Sequence, residues 1–189
     1  MIIAEAEKKY SVAVARLIMQ AMNYDCCQYF AGPDHTLMEF ETMMTALVEA
    51  ETSQYSYRNA IVALDEDGTV AGVCVSYDGK DLHRLRRAFV ESAKATFNRD
   101  FSGIDDETQE GELYIDSIAV DERYRRRGIA GRLLLATRLK AERLGIPALG
   151  LLVDKGNPDA ERLYIANGFV YVDDTTWGGH PMKHLQLHL

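Results

Sequence analysis

The chain has 189 residues, of which 47% are hydrophobic and 26% charged, and its 21 Lys+Arg against 29 Asp+Glu leave a net charge of −8. That length and apolar share suit one domain with a real core. The acidic balance argues against general nucleic-acid binding and gives weight to any place where basic residues cluster. Cys26, Cys27 and Cys74 are an odd number with an adjacent pair, so no disulfide framework is expected. Each reads as a small buried hydrophobe in a reducing cytosol. The opening MIIAEAEKKY lacks the apolar run of a signal peptide, and no stretch is long enough to span a membrane. The expectation is a cytoplasmic protein with no membrane or nucleic-acid partner.

In chain order, Ile2–Ala6 reads as a first strand. Ser11 reads as the cap of a helix with Val14, Leu17, Ile18, Ala21 and Met22 on its apolar face. Cys26–Gly32 reads as a break. Pro33-Asp34 then opens a second helix that carries Leu37, Phe40, Met44, Leu47 and Val48. Met38, Met43 and Met44 read as core packing, with a substrate-lining surface as the alternative. Asn59–Leu64 and Val70–Tyr77 flank Asp65–Gly68 as a hairpin. Leu82, Leu85, Phe89, Ala93 and Phe97 predict an amphipathic helix. Asp100–Gly111 follows it, rich in Asp and Glu. This acidic piece reads first as a solvated connection. The second reading makes it a cover for an acceptor site, because it leads straight into Glu112.

Glu112–Leu139 organises the rest. Leu113–Val120 is a buried-strand pattern, and apolar residues return at helical spacing from Gly128. Between them stand Arg123, Arg125, Arg126 and Arg127. A loop that opens a helix offers free N–H groups and the positive end of the helix dipole. Gly128, Ala130 and Gly131 are small enough for an anion to approach closely, so Arg125–Gly131 predicts a phosphate or pyrophosphate site. Neither GxxxxGK[ST] nor GxGxxG is present. Ala148–Val153 reads as a buried strand that completes a βαβ unit. Asn157 and Pro158 open a further helix ending at Gly168. Val170–Thr175 and Met182–Leu189 read as strands around a turn at Trp177–Pro181. His180, His184 and His188 lie too far apart on an extended chain to hold a metal and are taken as surface residues.

Arg125-Arg126-Arg127-Gly128-Ile129-Ala130, after Ile118-Ala119-Val120, resembles the [Q/R]xxGx[G/A] signature of the GNAT N-acetyltransferases. Asn157–Phe169 is similar to that family's NxxAxxLYxxxGF, with every fixed position present. The resemblance covers Ile61–Phe169 apart from an insertion at about 80–111. It implies an α/β fold: a mixed, mostly antiparallel sheet with helices on both faces and an inserted helix before the central strand. It also implies a V-shaped opening between Leu113–Val120 and Ala148–Val153 that takes acetyl-CoA as co-substrate, with no metal. The pantetheine arm would follow Ile118, Ala119 and Val120. The pyrophosphate would rest on Arg125, Arg126, Arg127, Gly128, Ile129, Ala130 and Gly131, and Asn157 and Tyr164 would line the groove. The Ile118 N–H would polarise the thioester, Tyr164 would be the general acid and Asp116 the first choice of base. Glu112 is the second choice, and Ser117 would position the acceptor. The implied partner is a small-molecule or peptide amine, and the acid around Asp105–Glu112 favours a cationic one. The rival reading is a non-catalytic acyl-CoA sensor on the same fold. The oligomeric state, a homodimer included, stays open.

Overall fold

The computed structural model describes all residues, Met1–Leu189. Its frame is a seven-stranded sheet made of β1 (Ile2–Glu5), β2 (Ala60–Leu64), β3 (Val70–Asp78), β4 (Leu113–Val120), β5 (Ala148–Asp154), β6 (Val170–Trp177) and β7 (His180–His188). The spatial order is β1-β2-β3-β4-β5-β7-β6, and only β4 and β5 run parallel. Helices α1 (Ser11–Met22), α2 (Tyr24–Ala31), α3 (Leu37–Glu49) and α4 (Leu82–Phe97) supply the core of one face. Helices α5 (Ile129–Leu144) and α6 (Pro158–Ala166) cover the other. The fold class read from the sequence is the one observed.

Several local expectations are corrected. Ser11 is not the cap of α1 but its first residue, and its hydroxyl donates to the Lys8 carbonyl. The stretch read as a break forms α2, because Asn23 takes a positive φ of 65° and its side chain accepts from the Cys26 N–H. The next helix starts at Leu37 rather than Pro33. Thr36 and Glu39 close a reciprocal capping box there and so fix the start. Met43 and Met44 are core, but Met38 is 78% exposed, pointing away from it. The turn at 177–181 shrinks to Gly178-Gly179, because Trp177 still pairs with His180. Both glycines have positive φ, 58° and 81°, as a two-residue hairpin requires.

Two features of β4 place the site. β4 pairs with β5 only at Leu113–Leu149 and Tyr114–Gly150; beyond that the strands splay. On its other edge Ser76 of β3 pairs with Ile115 but Val75 pairs with Ser117. Asp116 is therefore the extra residue of a β-bulge, the device that re-aims side chains beside a cleft. The predicted insertion is α4 and the chain leading from it to Glu112. That chain is not a solvated connection. Glu107 is buried, and a Cβ at Gly79 would stand 2.0 Å from the Gln109 carbonyl oxygen.

Candidate active site

The basic turn opens helix α5 with a row of unpaired backbone donors. Helix α5 starts at Ile129 with Gly128 as its N-cap and no side-chain cap. Backbone N–H groups from Arg126 through Gly131 find no acceptor within the protein; the first amide to find one is Arg132, which bonds to the Gly128 carbonyl. Such a row of unpaired donors at a helix start attracts an anion. Arg126 and Gly128 both take positive φ, 60° and 73°, which turns the loop so that its amides face outward together. The charges are unequal. Arg123 pairs with Asp121 and Arg125 with Glu122, while Arg127 stacks over the Tyr124 ring. Arg126, without an acidic partner, is the cation most free to meet an anion.

The loop leads into the splayed gap. The Asp121 N–H donates to Ala71 across β3, so strand alternation turns Ala119 toward β3 as well, and Ile118 and Val120 toward β5. Gln20 and Arg125 already donate to the Val120 carbonyl. Of the three residues named from sequence, Ile118 thus keeps the freest backbone toward the gap. Its side chain packs on the same apolar cluster as Tyr164.

Tyr164 is 9% exposed and packs edge-on against Phe169 at 5.8 Å. Burial pushes its phenol well above the ordinary range, with no hydrogen bond opposing the shift. Asn157 is placed differently. It is exposed and caps α6, accepting from the Ala160 N–H.

On the opposite face lies a buried acid cluster. Gln54 Nε2 donates to Asp116 Oδ2 at 3.1 Å, and the Ser117 hydroxyl donates to Asp116 Oδ1 at 2.9 Å. Burial first, and the Glu107 charge second, push the Asp116 carboxyl up to about 7 despite both bonds. Gln54 Oε1 is the one buried side-chain polar atom left without a partner. Glu107 comes from the acidic stretch. Arg86 of α4, Tyr77 of β3 and Trp177 of the β6–β7 hairpin all donate to its carboxylate. Arg86 also donates to the Ile104 and Asp105 carbonyls, so it folds the insertion onto the sheet. Sequence reading missed Gln54 and Trp177, and gave Glu107 only as one of the acidic residues of Asp105–Glu112. Arg86 left a signal, standing one turn from both Leu82 and Phe89 on an apolar helix face, where a cation calls for a buried anion.

Glu112 occupies a third position. Its carboxylate accepts from Thr108 at 2.7 Å and Gln186 at 2.7 Å and meets His184 Nε2 at 2.8 Å. Burial raises its carboxyl, but these three partners outweigh burial and leave it below the usual range. His184, expected at the surface, is buried, and the Glu112 contact raises its pKa. The alternation rule placed it on a face, but the long reach of Glu112 over β5 was invisible without the sheet order.

A model of the acetyltransferase (GNAT) family matches residues 20–169. The chain is also similar to a crystal structure of an acetyltransferase, at 30% identity and TM-score 0.81 over 100% of this chain and 99% of the other. An N-acetyltransferase from Staphylococcus aureus Mu50 shares the fold at TM-score 0.82 and 22% identity, over 99% of this chain and 100% of its own. GCN5-related N-acetyltransferase 4, chloroplastic, from Arabidopsis thaliana is 37% identical over 70 residues, 35% of this chain but 24% of that protein. No helix is long and apolar enough to cross a membrane. Four-fifths of the chain lying within the family match, on a sheet that splays beside an uncapped basic helix start, the protein belongs to the GNAT acetyltransferase family.

Proposed function

We propose that this protein moves the acetyl group of acetyl-CoA to a primary amine by direct attack within a ternary complex. The observation that carries the reading is the row of unpaired amides from Arg126 to Gly131 at the mouth of the β4–β5 gap. A diphosphate on that row aims an extended thiol arm down the gap toward Ile118. The Ile118 N–H faces the gap and supplies a donor for the charge that develops on the carbonyl oxygen.

Asp116 is the base. A carboxylate that titrates at about 7 is half ionised at neutral pH and matches the brief of proton acceptor far better than an ordinary aspartate. The substrate ammonium gives a proton to Asp116, and the free amine attacks the thioester carbon. The C–S bond breaks as the C–N bond forms, the thiolate leaves toward Tyr164, and the surplus proton of the acylated nitrogen ends on the sulfur, so that CoA departs as the thiol. Glu112, the second base considered, is held by three partners and has a lowered pKa, so its role is to tie β4 to β7. Tyr164 has its hydroxyl free. Burial makes it a weaker acid than a free phenol, so it stabilises the leaving thiolate mainly by hydrogen bonding. The unpartnered Gln54 Oε1 beside the Asp116 carboxylate favours a cationic amine.

The test is CoA release from acetyl-CoA across alkylamines, polyamines, aminoglycosides, free peptide N-termini and lysine peptides. At least one should be acetylated, and Asp116→Asn should lower kcat by about 10²–10⁴-fold at unchanged acetyl-CoA affinity. Tight acetyl-CoA binding with no release on any amine would leave a sensor on this fold, and no binding at all rejects the reading.

A further inference from the structure

Lys140 lies on α5, across the sheet from the acid cluster, and is half-buried. Its ammonium donates to the Ser76 carbonyl at 2.7 Å, the Ser76 hydroxyl at 3.0 Å and the Asn59 carbonyl at 3.2 Å. An ammonium has three donors, and here each goes to a neutral oxygen. Burying a cation without a carboxylate is costly, and an apolar residue would fill a helix face at less expense. What the cation holds is informative. Ser76 is the β3 residue directly after the register shift that makes Asp116 a bulge. Asn59 precedes β2, and its side-chain amide donates to the Ser53 carbonyl at 3.0 Å and the Gln54 carbonyl at 3.2 Å. Gln54 then donates to Asp116.

We infer that Lys140 is a positioning residue for Asp116, acting along two hydrogen-bonded routes: through Ser76 to the bulge, and through Asn59 and Gln54 to the carboxylate. The inference rests on Asp116 being the proton acceptor. It ties the helix whose start holds the phosphate site to the group that takes the proton. Other groups also act on the Asp116 carboxylate. Glu107 and Arg86 face it from the insertion, Tyr55 from the segment before β2, Tyr77 and Cys74 from β3, and Tyr114 from β4. Cys74, Glu5 and Arg143 face the Lys140 ammonium. Lys140→Met also removes a charge beside Cys74, which faces Asp116 as well, whereas Asn59→Ala leaves all of these groups in place, so a shift shared by both variants reports on the chain.

The experiment is a pH titration of carboxyl-labelled aspartates by NMR, with Asp116→Asn identifying the Asp116 resonance. It needs no acceptor. Lys140→Met and Asn59→Ala should each raise the Asp116 midpoint by roughly one pH unit, the worth of one lost hydrogen bond to a carboxylate. Lys140→Arg should restore it, and acetyl-CoA Kd should stay within about twofold in all three. An unmoved midpoint in both cut variants overturns the inference. Should Lys140→Met fail to fold, Lys140→Gln, which drops the charge but keeps a polar end for the same oxygens, takes its place beside Asn59→Ala. If Asp116→Asn keeps full activity on an acetylated amine, it is the base assignment that falls, while the midpoints still settle what Lys140 positions.

Discussion

A Cβ placed on Gly150 would stand 1.9 Å from Glu112 Oε2. The carboxylate of Glu112, the residue just before β4, thus lies flat across the backbone of β5 on its way to Gln186 and His184 of β7. Gly150 is also the last β5 residue to pair with β4. The strands part just past the point where Glu112 pins them, so this clasp is the hinge of the V. Bulk at position 150 meets both the carboxylate carbon and its oxygens. Gly150→Ala should therefore eject Glu112 from its three partners and cost on the order of 3 kcal/mol or more. Chemical denaturation measures this, and an unchanged midpoint would show that the carboxylate has another place to go.

The same clasp sets a pH window. His184 gains its partner on folding and its pKa is raised, chiefly by the Glu112 hydrogen bond. The folded state therefore holds a proton that the unfolded chain loses near ~6.5. That stability is full below ~6.5 and disappears as pH rises through the higher folded value. Glu112 is depressed, so its share is full above ~4.3 and lost as pH falls through the lower folded value. His184→Asn should cost about 1–2 kcal/mol between these limits and progressively less toward alkaline pH. A cost that stays flat from pH 5 to about 9 would mean that His184 is neutral throughout and merely packed.

Asp116 shifts in the opposite direction to Glu112. Its folded pKa of about 7 lies above the ~3.9 of an unfolded aspartate. Between those values the folded protein binds a proton that the unfolded chain has released, so stability falls as pH rises across the window. Asp116→Asn removes the penalty. The variant should match the parent at about pH 4 and exceed it by on the order of 2–4 kcal/mol above pH 7, while losing activity. Thermal melts over that range check it; a variant less stable than the parent at pH 8 would mean the ionised carboxylate is well solvated or paired.

What the sequence revealed and what it hid follow from how local the information is. The basic turn, the α6 cap and the strand alternation of β4 are written in contiguous residues, and the fold class came with them. The capping box at Thr36 and Glu39 and the positive-φ turn at Asn23 are local too, but Pro33 and the paired cysteines are louder punctuation and mask them. The acid cluster is different. Gln54, Arg86, Glu107, Asp116 and Trp177 come from five separate segments, and nothing in their spacing brings them together. The bulge that re-aims Asp116 is a mismatch between two strands, a property that neither strand holds alone. His184 illustrates the cost: period-two reading assigns its face, but only the β5–β7 pairing puts Leu152 opposite it and Glu112 within reach.

Tyr164→Phe is the sharpest probe of the chemistry. The ring packs on Phe169 and the α5-side core, and Phe keeps that contact. The hydroxyl has no hydrogen bond to lose within the protein, so the melting temperature should move by less than ~2 °C. Acetyl-CoA affinity should hold as well, because the hydroxyl is asked to act only as the thiolate leaves. The loss should therefore fall on kcat. A phenol that burial has made a poorer acid gives less than a full general-acid contribution, so a drop of about 10–10²-fold is expected, at the lower edge of that class. A drop near 10⁴ would instead mean complete proton transfer from Tyr164 in the rate-limiting step. An unchanged kcat hands the thiolate to water and leaves Tyr164 as a packing residue. Solvent isotope effects on parent and variant separate the first two cases, since a hydrogen bond that merely strengthens gives a smaller effect than a proton in flight.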